Sequence, residues 1–107
     1  MKLFVLLRKD MPAIQKAVQA GHAVAEYLKK HTSTSWSNGT LVLLGVDSVE
    51  ELHGWQENLD GAGIDSASFY EPDMASCTGV SFVLNSKEKD HRRFKRRMDK
   101  HLRLLTL

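Results

Sequence analysis

The chain alternates between short apolar runs and longer stretches in which apolar residues recur every three or four positions. Residues 2–8, "KLFVLLR", form a near-continuous apolar run, the pattern of a strand buried on both faces. "KDMPA" interrupts it, with Asp10 expected to cap a helix and Pro12 suited to its first turn. Residues 13–31 read as that helix. Ile14, Val18, Gly21, Ala25 and Leu28 recur at helical spacing, and Ala17 and Val24 widen the face expected to pack inward. "TSTSWSNG" is a turn-rich connection, and "TLVLLGV", residues 40–46, is a second buried strand. Ser48 followed by Glu51 matches a capping box, so residues 49–61 form a helix with Leu52, Trp55 and Leu59 inward. "DGAG" ends it through glycine. "DSASFYE" is a shorter third strand and "GVSFVLN" a fourth, while residues 87–103 put Phe94, Met98 and Leu102 on one stripe of a docking helix.

The order β-α-β-α-β-β-α predicts an α/β three-layer sandwich, a four-stranded mixed sheet with helices on both faces. The first two crossovers are expected to be right-handed. The last two strands stand too close in sequence for a helical crossover. They form a hairpin, or they separate if the "EPDMASCT" loop travels across the sheet. At 107 residues the chain fits one domain with a sizeable core, and it holds no repeat or low-complexity segment.

Charge changes the picture more than composition does. Residues 1–85 carry six Lys/Arg against ten Asp/Glu, whereas residues 86–107 carry nine against three, so a net −4 is followed by a net +6. The basic tail, with Arg92, Arg93 and Arg96 at its centre, suits nucleic-acid contact or is simply a solvated helix face. A lone cysteine, Cys77, excludes an internal disulfide framework and a cysteine-based zinc cluster, and a reducing cytoplasm is the expected compartment. The apolar run before Arg8, Lys9 and Asp10 is too short for a secretory leader and far too short to span a bilayer.

Candidate chemistry collects at two places. Arg8, Lys9 and Asp10 stand at the carboxyl end of the first strand beside a helix N-terminus, where open α/β sheets bind ligands and where backbone N–H groups favour phosphate. On that helix Gln15, Gln19, His22 and Glu26 form one polar stripe, with Gln19 and His22 as neighbours able to orient each other. A helical histidine is also a common structural residue. Small residues around Gly21 point to close approach of another element. In "YEPDMASCTG", Glu71 and Asp73 flank a proline and Thr78 opens the next strand. A carboxylate there serves as base or orienter, and a hydroxyl holds an oxyanion or water. Turn chemistry also uses Pro and Asp, and Cys77 reads as a structural thiol. No Gly-rich phosphate loop, GxSxG or HExxH motif is present.

Taken together, "FVLLRKDM" and "IQKAVQAGHAVAEYL" resemble the opening strand and helix of the type II peptidyl-tRNA hydrolases, as a short, divergent member. Arg8, Asp10, Gln19, His22 and Ala23 match that family's pattern, and the order of elements extends the resemblance over the whole chain. The resemblance implies hydrolysis of the ester joining a peptide to the 3′ end of tRNA, by water, with no metal or other cofactor. It implies tRNA as the partner, gripped electrostatically by Arg8, Lys9, Asp10, Lys16, Arg92, Arg93 and Arg96. It implies catalytic roles for His22, Gln19, Asp73, Glu71 and Thr78, no membrane association, and a homodimer as a state that the small-residue helix allows.

Two departures stand out. The family's Lys/Gly loop is shortened to "MPAIQK", which puts Gln15 near the usual lysine and Lys16 about 100° round the helix. "EPDM" replaces the usual Asp-containing segment, with Glu71 or Asp73 as substitute carboxylate. A catalytically inactive RNA- or protein-binding module of the same fold, and an enzyme for a different small ester or amide, are the competing functions.

Overall fold

In the computed structural model, which describes residues 1–33, 36 and 39–106, a five-stranded sheet is covered by helices on both faces. Strand β1 (Leu3–Arg8) is followed by α1 (Ala13–Lys30), β2 (Leu41–Val46), α2 (Val49–Gly61), β3 (Ser66–Glu71), a 3₁₀ turn (Pro72–Met74), β4 (Ser76–Val83), α3 (Lys89–His101) and β5 (Arg103–Leu104). Part of the connection expected at residues 32–39 lies outside the described residues. No helix among the described residues is long and apolar enough to cross a membrane.

The strand order is β3-β4-β1-β2-β5, with β1 parallel to β2 and antiparallel to β4. Flanked on both sides, β1 must bury both faces, which explains its unbroken apolar sequence. Val5 and Leu7 pack under Ala20 and Ala23 of α1. Phe4 and Leu6 join Leu52, Trp55 and Leu59 of α2 with Phe94 and Met98 of α3 on the other face. The chain moves one way across the sheet from β1 to β2 and the opposite way from β2 to β3. Connections of one hand therefore need helices on opposite faces, as α1 and α2 are.

Helix α2 begins as its sequence predicts, with Ser48 Oγ accepting from the Glu51 N–H at 3.1 Å. The return bond is displaced by one residue, since Glu51 Oε2 accepts from the Asp47 N–H at 2.8 Å. Gly63, at φ +67°, then supplies the left-handed residue that lets the chain turn into β3.

Three expectations are corrected. The sheet has a fifth strand, because residues 103–104 leave the helix and pair antiparallel with Gly45 and Leu44 of β2. Asp10 is not the cap of α1. Pro12 occupies that position without a side-chain hydrogen bond, and the Asp10 carboxylate is held by Arg8. The inner face of α1 is not the one that its large aliphatic residues mark. Gln19, Ala20, Ala23 and Tyr27 are buried, whereas Ile14, Val18 and Leu28 are exposed. The reason is distance. A Cβ placed on Gly79 of β4 would stand only 3.2 Å from both Ala23 Cβ and Leu7 Cδ2, so the helix lies too close to the sheet for long aliphatic side chains beneath it.

Candidate functional site

The two open alternatives for the last strands resolve as a hairpin. β3 and β4 pair antiparallel around the 3₁₀ turn, which Ala75 closes in the left-handed region at φ 49°. Among the described residues no other non-glycine has positive φ, so the turn between the two site strands carries backbone strain.

The pairing has one irregularity. Phe69 stands opposite Gly79 but Tyr70 stands opposite Cys77, which leaves Thr78 as an extra residue, a β-bulge. Val80 and Phe82 face α2 and α3, and strict alternation would send Thr78 the same way. The bulge turns its side chain onto the α1 face instead. There the Thr78 hydroxyl donates to Gln19 Oε1 at 2.7 Å, and Gln19 Nε2 donates to Glu71 Oε2 at 2.9 Å. Gln19 and Thr78 are completely buried, so each satisfies the other where water does not reach.

Glu71 completes the chain at the surface. Its second oxygen accepts from the Asp73 N–H at 3.2 Å. The hydrogen bond from Gln19, and then that from the Asp73 backbone, hold its carboxyl below the usual range, with a smaller electrostatic pull from His22. Glu71 is thus a fixed carboxylate. His22 is half-buried, one helical turn from Gln19, and its ring lies flat on Phe69 with centroids 4.3 Å apart and planes 11° apart. The amide of Gln19 is committed to Thr78 and Glu71, so what orients the imidazole is its stacking on Phe69. Asp73 is exposed on the turn.

Arg8 reaches the same end of the sheet from the other face. Its guanidinium grips Asp10 in a two-point pair, at 3.0 and 2.9 Å, and donates to Ser76 Oγ at 2.8 Å. The bond from Arg8 holds the Asp10 carboxyl below its ordinary value. Arg8 therefore ties β1 to the start of β4 and braces the hairpin that carries Glu71. Burial pushes the Cys77 thiol up, which keeps it protonated and suits the structural role expected of it.

The remaining cations lie apart from His22. Lys9 pairs with Asp47 at 2.8 Å, and Lys16 donates to the Thr106 carbonyl at 2.9 Å. Both line a hollow over the β2–β5 edge together with Glu51, His101 and Arg103. Arg92, Arg93 and Arg96 sit on α3, across the sheet from α1. Arg92 donates to the Ser86 carbonyl, Arg93 stands 3.9 Å from Asp90, and Arg96 lines a groove with Lys2, Lys95 and His91. The structure thus brings together Gln19, His22, Glu71 and Thr78, places Arg8, Asp10 and Asp73 at their margin, and leaves the other predicted RNA contacts elsewhere.

Three partners were missed in the sequence. Phe69 had a signal, since alternation puts it on one face with Ala67 and Glu71. Ser76 and Asp47 had none. Among the described residues no group of three or more His, Cys, Asp or Glu is arranged to hold a metal ion.

No family model and no curated protein matches the chain. Among solved structures, a protein of unknown function from Agrobacterium tumefaciens superposes with a TM-score of 0.65 at 14% identity, covering 98% of this chain and 97% of that one. At that identity the likeness is one of fold alone.

Proposed function

We propose that the chain hydrolyses the ester of peptidyl-tRNA, or of N-blocked aminoacyl-tRNA, by activating water without a metal. The observation that carries this is the relay Thr78–Gln19–Glu71, which fixes an ionised carboxylate beside the helix edge that bears His22. In this scheme His22 takes a proton from water as the oxygen attacks the ester carbonyl carbon. The tetrahedral oxyanion collapses, the bond to the ribose oxygen breaks, and that oxygen receives the proton back from His22. Glu71 stabilises the transient imidazolium, as a carboxylate does beside any histidine that must carry charge briefly. Gln19 and Thr78 are positioning residues. Asp73, exposed on the turn, is the alternative carboxylate.

Phosphates of the acceptor end would exchange into the exposed ion pair of Lys9 with Asp47, which is weak enough to open, with Arg8 and Asp10 next to it in the chain. Lys16 lies beside Lys9, and the basic α3 with Arg92, Arg93 and Arg96 extends contact round the sheet edge. Binding then weakens as salt rises. Such a substrate places the protein in the cytoplasm.

A non-catalytic RNA- or protein-binding module is the second reading. It is favoured by the complete engagement of Thr78 and Gln19, because the same bonds latch α1 to the β3–β4 hairpin whether or not chemistry occurs. The distinguishing experiment offers purified protein N-acetyl-aminoacyl-tRNA and, separately, the corresponding small ester without RNA. Acyl release from the tRNA alone supports the hydrolase. Binding without release assigns the module, and equal release from the small ester assigns a different esterase.

A further inference from the structure

One flank of α3 overhangs the start of β1. The buried stripe of this helix is Phe94 and Met98, and Arg97 on one flank donates to Asn58 Oδ1 of α2. His91, Arg92, Lys95 and Arg96 follow one another along the other flank, away from α2. Beneath them the pairing of Leu3 with Val83 sets Lys2 beside Leu84, at the end of the sheet. The ring of Phe4, stacked on Phe82 with centroids 5.6 Å apart, closes the bottom. The result is a groove of about 490 Å³, within the range of small-molecule sites, about 300–1,000 Å³.

Its chemistry is divided between floor and rim. Phe4, the half-buried Leu84 and the methylene stems of Lys2 and Lys95 supply an apolar floor. The rim holds Lys2, Arg92, Lys95 and Arg96, and no carboxylate lines the groove. Lys95 is paired with Asp99, and Arg92 spends one donor on the Ser86 carbonyl at 2.9 Å. Lys2 and Arg96 form no ion pair among the described residues. His91 Nδ1 accepts from the Asn85 N–H at 2.9 Å, so the ring proton is on Nε2 and the imidazole adds a neutral donor. Uncompensated positive charge over an apolar floor is complementary to a molecule that has both an anionic head and an apolar body. A phosphodiester backbone would satisfy the rim and leave the floor uncovered, and a neutral lipid would do the reverse.

We propose that this groove binds a small amphipathic anion, a medium-length acyl chain ending in a carboxylate or a phosphate. The head sits on Arg96 and Lys2, and the chain lies over Phe4 and Leu84. The guanidinium fork of Arg96 matches either head with two parallel bonds. The groove is on the face opposite α1 and roughly 20 Å along β1 from Arg8, so it does not overlap the surroundings of His22. It stands or falls independently of the ester hydrolase, although RNA laid along α3 would compete with the ligand for Arg92 and Arg96.

Titration of isotope-labelled protein with octanoate and, separately, octyl phosphate, followed by amide chemical shifts, tests it on wild type, Leu84→Glu and Arg96→Glu. Far-ultraviolet circular dichroism controls for folding. Wild type is expected to show saturable shifts at the amides of Leu84, Ser86 and Arg96, the tighter of the two anions identifying the head. Each variant is expected to raise the dissociation constant at least about tenfold. Octanol, which lacks the charge, and inorganic phosphate, which lacks the chain, are expected to bind at least about tenfold more weakly than the tighter anion. No saturable shift at these amides with either anion, variants that bind as wild type does, or octanol that binds as tightly as the anions would overturn the proposal. So would an RNA oligonucleotide that shifts the same amides where neither anion does, which would assign the groove to nucleic acid.

Discussion

Thr78 and Gln19, 59 positions apart in the chain, share a fully buried hydrogen bond of 2.7 Å that joins the sheet to the helix above it. The bond depends on a single extra residue in β4, because without the bulge the Thr78 hydroxyl would point to the opposite layer. Thr78→Val keeps the shape and removes the donor, leaving Gln19 Oε1 buried and unpaired. It is expected to cost about 1–3 kcal/mol in urea denaturation. If the relay positions Glu71, the variant also loses turnover while tRNA affinity is unchanged.

Glu71 gives the fold an acid-sensitive element. Its folded carboxyl titrates below the ordinary range because Gln19 and the Asp73 backbone donate to it. Between the folded and unfolded values the native state binds fewer protons, so stability rises with pH there. The contribution is complete above the unfolded carboxylate value and is lost as pH falls through the folded one. Asp10, held by Arg8, acts with the same sign. Thermal midpoints measured from neutral to acidic pH are expected to fall less steeply for Glu71→Gln than for wild type. Parallel curves would show that the Gln19 bond contributes nothing.

Gly79 sets the spacing between α1 and the sheet. Gly79→Ala adds a methyl 3.2 Å from Ala23 Cβ and Leu7 Cδ2, both in fully buried side chains. A loss of about 1–3 kcal/mol is expected from overpacking. Because the helix must lift away from β4, the same variant stretches the Thr78–Gln19 bond. A double-mutant cycle with Thr78→Val is therefore expected to be non-additive.

Gly21 behaves in the opposite way. Gly21→Ala meets no atom and gains helix propensity, so the protein is expected to gain up to about 1 kcal/mol, read from its thermal midpoint.

Elements whose burial is periodic were readable from the chain. The apolar runs at residues 2–8 and 40–46 mark strands, and Ser48 with Glu51 marks the start of α2 to the residue. The face of α1 was not readable, because hydrophobicity points to Ile14, Val18 and Leu28 while close packing selects Ala20 and Ala23. A fully buried glutamine breaks the usual pattern and is stable only because distant Thr78 and Glu71 satisfy it. The bulge leaves no periodic trace, and a two-residue strand such as β5 is too short to have one. Of the candidate site, Gln19, His22, Glu71 and Thr78 were each visible as residues. Their grouping required the register of β3 on β4.

In the proposed hydrolysis His22, stacked on Phe69, accepts the proton of the attacking water. Single-turnover cleavage of N-acetyl-aminoacyl-tRNA by wild type and by His22→Ala tests it most directly. Release of the acyl amino acid by wild type is expected, with a loss of roughly 10²–10⁴-fold in the variant and with unfolding midpoint and tRNA affinity kept. Equal rates for the two proteins, or no cleavage by either, would contradict it.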